Sequence, residues 1–249
     1  MRAWQGLPVT VRWTTLFLDS PAAGADPFWP AVTGMPLSPG RDDPVSATLV
    51  PARGDAYLRA RVTASPPRTR LDLHVAGVPE AAREAAREAV ALGAHVIHDA
   101  GTAVALRSPG GLEFGLVPWQ GERSCPPAER WPGGQSSRLD QVCLDVPEER
   151  FEREASFWSA LTGWERQPSD RPEFESLVRP AGMPLRILLQ RVGSAGAGMH
   201  PDFACDDVPA EVARQVGLGA RVVREVPGEW TTLRDPAGRE YCVTARSPF

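Results

Sequence analysis

The sequence predicts an α+β protein made of two homologous halves, each built from two βαβββ modules. In such modules a sheet carries its helices on one face and leaves the other free to curl around a ligand. Three observations predict it. The first is internal repetition: FWPAVTG (Phe28 to Gly34) returns as FWSALTG (Phe157 to Gly163), and VPEAAREAAREAVALGAHVIH (Val78 to His98) returns, shortened, as VPAEVARQVGLGARVVR (Val208 to Arg224). The second is the regular exchange of segments with period-two alternation for segments with helical spacing. The third is a turn phrase that closes each half, SPGGLEFG (Ser108 to Gly115) and DPAGREYC (Asp235 to Cys242). It delivers a carboxylate and an aromatic residue from a Pro/Gly turn into a strand.

Taken in order, RWTTLFLD opens the first half as a strand and is followed by a helix bearing Phe28 and Trp29. Short strands ending in AYLRARV complete the first module. RLDLHV then starts the second module, and PEAAREAAREAVALGA follows as a helix. Its Ala, Leu and Val recur at helical spacing, Arg and Glu take the other face, and Gly93 supplies the stop. The halves run roughly from Val9 to Val117 and from Arg138 to Ala245, giving domains over 1–117 and 138–249. Between them, 118–137 (PWQGERSCPPAERWPGGQSS) is rich in Pro, Gly and Ser and reads as a linker whose two tryptophans pack it along the surface. In the second half RLDQVCLD, the Phe157/Trp158 helix, LRILLQRV, HPDFAC and a second helix repeat the order. Both Phe-Trp pairs are expected in the core, as is Trp230, which starts a strand and could otherwise line the cleft.

Composition narrows the function. A hydrophobic content of 42% supports a packed core, and a net charge of −4 argues against a nucleic-acid surface, which needs a basic face. All 27 basic residues are Arg, and neither Lys nor Asn occurs, as expected of a GC-rich bacterial genome. Schiff-base and Gly-Lys phosphate-loop chemistries are thereby excluded. The N-terminal MRAWQGLPVTVRW has no apolar signal region and no run reaches membrane-spanning length, so no membrane partner is expected. Cys125, Cys143, Cys205 and Cys242 are scattered, which fits reduced thiols in a cytoplasm. The stretch GSAGAG (Gly193 to Gly198) leads into a strand and reads as a connector, not a dinucleotide fingerprint. No G-x-S-x-G occurs.

FWSALTGWE, HPDFACDDVPAEVARQVGLGARVV and WTTLRDPAGREYCV resemble the vicinal oxygen chelate superfamily of glyoxalases, bleomycin-resistance proteins and extradiol dioxygenases. The likeness is fullest in the second half, to an actinobacterial glyoxalase-like branch, and spans nearly the whole chain outside the linker. It implies U-shaped, cleft-forming sheets. In metal-using members it also implies one divalent ion per cleft, held from the first and last strands of both modules. Those positions fall on Gln141, about Gln190, His200 and Cys242 in the second half, and on Thr15, about Ala60, Arg70 and Gly115 in the first.

The first-half set supplies no metal site: Gly115 has no side chain and Arg70 repels a cation. Period two nevertheless places Arg70, Asp72 and His74 on one face, with Glu113 two residues before Gly115, a group able to bind an anion or move a proton. The plainer reading of these residues is a salt-bridge ladder. In the second half His200 is a good ligand for Zn, Ni, Fe or Co, and Cys242 could offer a thiolate, while Gln141 and Gln190 are weak neutral donors. Glu240 lies two residues before Cys242 on the same face. The plainer readings are a loop-end histidine and a small buried hydrophobe.

The expectation is a protein that needs no cofactor and takes a small, partly apolar molecule into its clefts, for sequestration, resistance or metal-independent chemistry. Gln141, Gln190, His200, Asp202, Glu240 and Cys242 supply the best polar groups. The alternative is a divalent-metal lyase, isomerase or dioxygenase centred on His200. The two halves are expected to pair within one chain, with a homodimer as the other arrangement.

Overall fold

The computed structural model describes residues 9–21, 27–39, 45–77, 80–193 and 196–249. The first eight residues, the first two of the long helical phrase (78–79) and 194–195 of the glycine connector lie outside them. The first half contains β1 (Val11–Ser20), α1 (Phe28–Thr33), β2 (Leu37–Pro39), β3 (Ser46–Leu49) and β4 (Leu58–Val62), then β5 (Arg68–Val75), α2 (Ala81–Ala91), β6 (His95–Asp99), β7 (Val104–Arg107) and β8 (Glu113–Pro118). A two-residue β9 (Glu129–Arg130) precedes the second half. There the order repeats as β10 (Ser136–Pro147), α3 (Phe151–Thr162), β11 (Arg166–Pro168), β12 (Phe174–Leu177) and β13 (Arg186–Val192), then β14 (Gly198–Cys205), α4 (Val208–Gly217), β15 (Arg221–Val226), β16 (Trp230–Arg234) and β17 (Glu240–Thr244). Among the described residues no helix is long and apolar enough to cross a membrane.

Each half forms one open sheet, ordered β2-β3-β4-β1-β5-β8-β7-β6 and β11-β12-β13-β10-β14-β17-β16-β15, with β9 attached to β10. The opening strands of the two modules pair antiparallel at the centre, β1 with β5 and β10 with β14. The closing strands flank them in parallel, β4 and β8 in one sheet, β13 and β17 in the other. First and last strands of both modules therefore lie side by side, and side chains alternating along them share one concave face. In β10 a bulge at Asp140 resets that alternation. Beyond it Val142, Leu144 and Val146 enter the core, while Gln141, Cys143 and Asp145 face the cleft.

The recurring Phe-Trp phrase proves to be a helix-ending device. Thr33 and Thr162 each donate a hydroxyl hydrogen bond, 2.7 Å, to the carbonyl four residues earlier. Gly34 and Gly163 then close the helices at φ 72° and 70°, a left-handed conformation that favours glycine. The Phe-Trp pairs are buried as expected, but each packs on the opposite half. Trp29 stacks on Phe203 of β14 at 6.4 Å and meets Tyr241 of β17 edge-on at 5.3 Å. Trp158 and Phe157 close on Phe114 of β8 at 5.0 and 5.8 Å. The two halves thus exchange helices and share a single hydrophobic core.

The turn phrases are held by the same exchange. Trp29 donates its indole N–H to Asp235 in the second turn at 3.0 Å. In the mirror position the first turn offers Ser108, and the carboxylate comes instead from Glu154 of α3. Glu154 accepts from the Ser108 hydroxyl and the Gly110 amide, 2.5 Å each, and from the Trp158 indole at 2.8 Å. Between the sheets, the Arg123 and Ser124 amides donate to Asp55 at 2.7 and 2.8 Å, and Trp131 lies under the Arg214 guanidinium at 3.5 Å.

Candidate functional site

The concave face of the second sheet encloses a cleft of about 1070 Å³. Its floor is set by strand register. One row across β10, β14 and β17 carries Gln141, Asp202 and Cys242; the next carries Cys143 and His200; the third places Asp145 beside Gln190 on β13. The metal positions implied by the resemblance therefore spread over three rows. Gln141 is spent on Asp202, donating at 2.6 Å, and Cys242 meets the Thr232 hydroxyl at 3.4 Å. Gln190 accepts from the Cys143 thiol at 3.6 Å. Glu240 sits at the rim, 2.5 Å from Arg234.

His200 is neither a loop end nor exposed. Its Nδ1 lies 2.9 Å from Asp145 and its Nε2 3.4 Å from Asp202. Burial alone would favour the neutral ring. The groups facing it (Cys143, Asp202 and the hydrogen-bonded Asp145) outweigh burial and hold its pKa well above the ordinary value. Burial pushes the Cys143 thiol up to about 12 and also raises Cys242. Burial likewise raises Asp202, against the pull of the His200 charge. The floor thus sets the His200 ring between two acids and beside two thiols, in surroundings that on balance favour its charged form.

Cys143 and Asp145 were missed by the sequence reading, although they stand two and four residues beyond Gln141 on the same strand face. Together with His200 and Asp202, Cys143 forms the one cluster among the described residues able to offer a metal three side-chain donors, all within 4.8 Å of one another. Asp202 Oδ1 is buried and accepts no hydrogen bond; its one ionic contact is His200 Nε2 at 3.4 Å, so it faces the cluster with acceptor capacity to spare. A thiol, an imidazole and a carboxylate fit an ion of zinc, iron, nickel or cobalt type, with Asp145 fixing the far ring nitrogen.

The walls are less polar. Trp230, expected in the core, instead lines the cleft, because its strand position faces the open side of β16. It meets Phe174 edge-on at 5.8 Å, with Arg171 and Arg224 at 4.9 and 5.7 Å from its ring. Leu188 and Met199 add apolar surface.

The first-half face is built differently. Ala60 points into the core, so the concave positions on β4 belong to Arg59 and Arg61. Arg70 lies 4.3 Å from the Phe17 ring centroid. Asp72 fills the room left by Gly115, where an added Cβ would come within 2.3 Å of its carboxylate. His74 touches Thr15 at 2.9 Å and Glu122 at 3.2 Å, and Glu113 is engaged by Arg68 and Arg107.

A sequence model described as a glyoxalase-like domain matches residues 15–117 and again 141–244. No curated protein matches the sequence. Among solved structures, a Mn(II)-bound glyoxalase from Novosphingobium aromaticivorans is 16% identical at TM-score 0.64, covering 95% of this chain and 82% of its own. The 2,3-dioxygenase LapB from Pseudomonas sp. KL28 is 14% identical at TM-score 0.64, covering 96% and 93%. BphC, a halotolerant catechol dioxygenase, is 14% identical at TM-score 0.61, covering 94% and 87%. At such identities the likeness establishes the fold alone.

Proposed function

The chain belongs to the glyoxalase-like domain family in both halves, and from that premise we propose that its second-half cleft binds a small, partly apolar molecule. The observation that carries this reading is the His200 ring. It is fixed between Asp145 and Asp202 on the floor of an open cleft whose wall is the Phe174–Trp230 pair. A few oriented polar groups beneath apolar walls are the usual composition of a small-molecule site. His200 would donate to a ligand oxygen from Nε2, while Trp230 and Phe174 take an aromatic or aliphatic body. Such binding serves sequestration, resistance or metal-independent chemistry. Thermal-shift screening against aromatic natural products should yield ligands that His200→Ala and Trp230→Ala both weaken. Ligands whose affinity neither substitution changes would refute the assignment.

A second reading, a divalent-metal lyase, isomerase or dioxygenase, is compatible with the Cys143, His200 and Asp202 cluster, in which the buried Asp202 Oδ1 accepts no hydrogen bond. A metal there would act as a Lewis acid on a chelated oxygen pair. On this reading Cys143, His200 and Asp202 hold the ion, Asp145 orients the imidazole, and Gln141 keeps Asp202 aligned. Metal analysis of protein prepared without chelators separates the readings. One transition metal per chain, lost in His200→Ala, supports the second; protein that is empty and cannot be loaded with Zn²⁺, Ni²⁺ or Fe²⁺ rules it out.

A further inference from the structure

The two concave faces can be superposed row by row through their strand register, and the comparison reverses their electrical sign. In the second sheet Cys143 lies between Leu188 and His200, and Asp145 lies between Gln190 and Gly198. In the first sheet the same rows read Arg59–Phe17–Arg70 and Arg61–Asp19–Arg68. Four flanking positions that hold Leu, His, Gln and Gly in one half all hold arginine in the other. That is no ordinary wearing-away of a site, which would leave small or apolar residues.

These four guanidiniums are only partly matched by carboxylates. Asp19, fully buried, accepts from Arg61 at 2.6 Å and from Arg68 at 3.4 Å. Arg68 also reaches Glu113 at 2.8 Å, and Arg107 shares that carboxylate. Arg70 approaches Asp72 no closer than 3.7 Å, beyond hydrogen-bond reach, and burial disfavours the Asp72 charge. Among the described residues Arg59 meets no carboxylate. The Nε atoms of Arg59, Arg61 and Arg70 are buried without an acceptor. What these side chains share is the Phe17 ring, with guanidinium carbons 5.3, 5.9 and 4.3 Å from its centroid. A ring face partly offsets cationic charge, but it supplies no hydrogen-bond acceptor. Converging guanidinium donors with spare N–H groups above an apolar base match the planar or tetrahedral oxygens of an oxyanion.

We propose that the concave face of the first half binds a compact oxyanion, the phosphate or carboxylate group of a small metabolite, between Arg59 and Arg70 above Phe17, with Arg61 beside it. Guanidiniums gathered over a single ring present their donors to one compact headgroup rather than along an extended backbone. The Arg59–Phe17–Arg70 row lies on the first sheet, apart from the His200 floor, although Arg68 of the neighbouring row also lines the His200 cleft; anion binding there does not depend on what that cleft takes.

The test is titration of the whole protein with inorganic phosphate and, separately, succinate at fixed ionic strength, followed by calorimetry and thermal shift. The expected result is saturable binding of at least one anion. It should weaken roughly tenfold or more in Arg59→Gln and Arg70→Gln and stay unchanged in His200→Ala. Preference for phosphate or succinate then identifies the headgroup. Arg59→Gln leaves no carboxylate stranded, so its circular dichroism should match the parent even if Arg70→Gln folds poorly. No saturable binding of either anion, or binding unchanged in Arg59→Gln, overturns the proposal.

Discussion

Trp29 donates its indole hydrogen to Asp235 at 3.0 Å across 206 residues of sequence. That bond ties the first helix to the last turn, and the same carboxylate accepts from the backbone amide and guanidinium of Arg239 at 2.7 and 3.0 Å. Arg239 in turn donates to the carbonyls of Asp19, at 2.5 Å, and Arg68, at 3.2 Å, in the other half. Trp29→Phe keeps most of the ring packing and removes only the donor. It should cost about 1–3 kcal/mol, read from urea unfolding, because a buried acceptor loses one partner. Both halves should unfold in a single transition, since the lost bond belongs to neither alone.

Gly115→Ala should destabilise the protein by about 1–3 kcal/mol through the clash with Asp72. Adding Asp72→Ala should recover most of that loss. A double-mutant cycle by denaturant titration measures the coupling, and additive losses would contradict the packing described here.

His200 makes stability depend on pH in a definite sense. Its folded pKa is raised above the ordinary 6.5, so its contribution is fully present below the unfolded value and fades as pH rises through the folded one. Asp202, also raised, acts in the same direction. Unfolding free energies from about pH 6 to about pH 10 should therefore fall for the parent protein and fall less for His200→Asn.

Cys143 and Cys242 should resist alkylation at about pH 8 in the native state, because burial both covers them and raises their pKa values. Mass mapping after iodoacetamide treatment should find modification first at Cys125, which is only partly covered, and at the other cysteines once urea is added.

The duplication, the module order and the cleft-facing strands were legible because each is written in local pattern: repeated phrases, alternation and turn residues. His200, Asp202 and Gln141 were legible for the same reason, as alternate positions on strands that had to be central. Cys143 and Asp145 were equally available by counting in twos, but family positions drew attention to Gln141 alone. Other features could not be read locally. Ala60 was misplaced by one residue, and in a strand one residue exchanges cleft for core. Trp230 had two possible places, core or cleft wall, and local pattern preferred the core, whereas its side depends on the register of β16 against β17. The helix exchange leaves no local trace, because a Phe-Trp pair needs the same apolar partners whichever sheet provides them.

That exchange has a consequence for how the chain can be divided. A cut in the segment between the sheets, for instance at Gly121, would give two fragments, each carrying the helix that fits the other's sheet. Neither would own a complete apolar layer, and mixing them should restore both. The molecule is best regarded as two interlocked pieces that happen to be sewn together. A change in one half's helix is answered by residues in the other, as Glu154 answers Ser108.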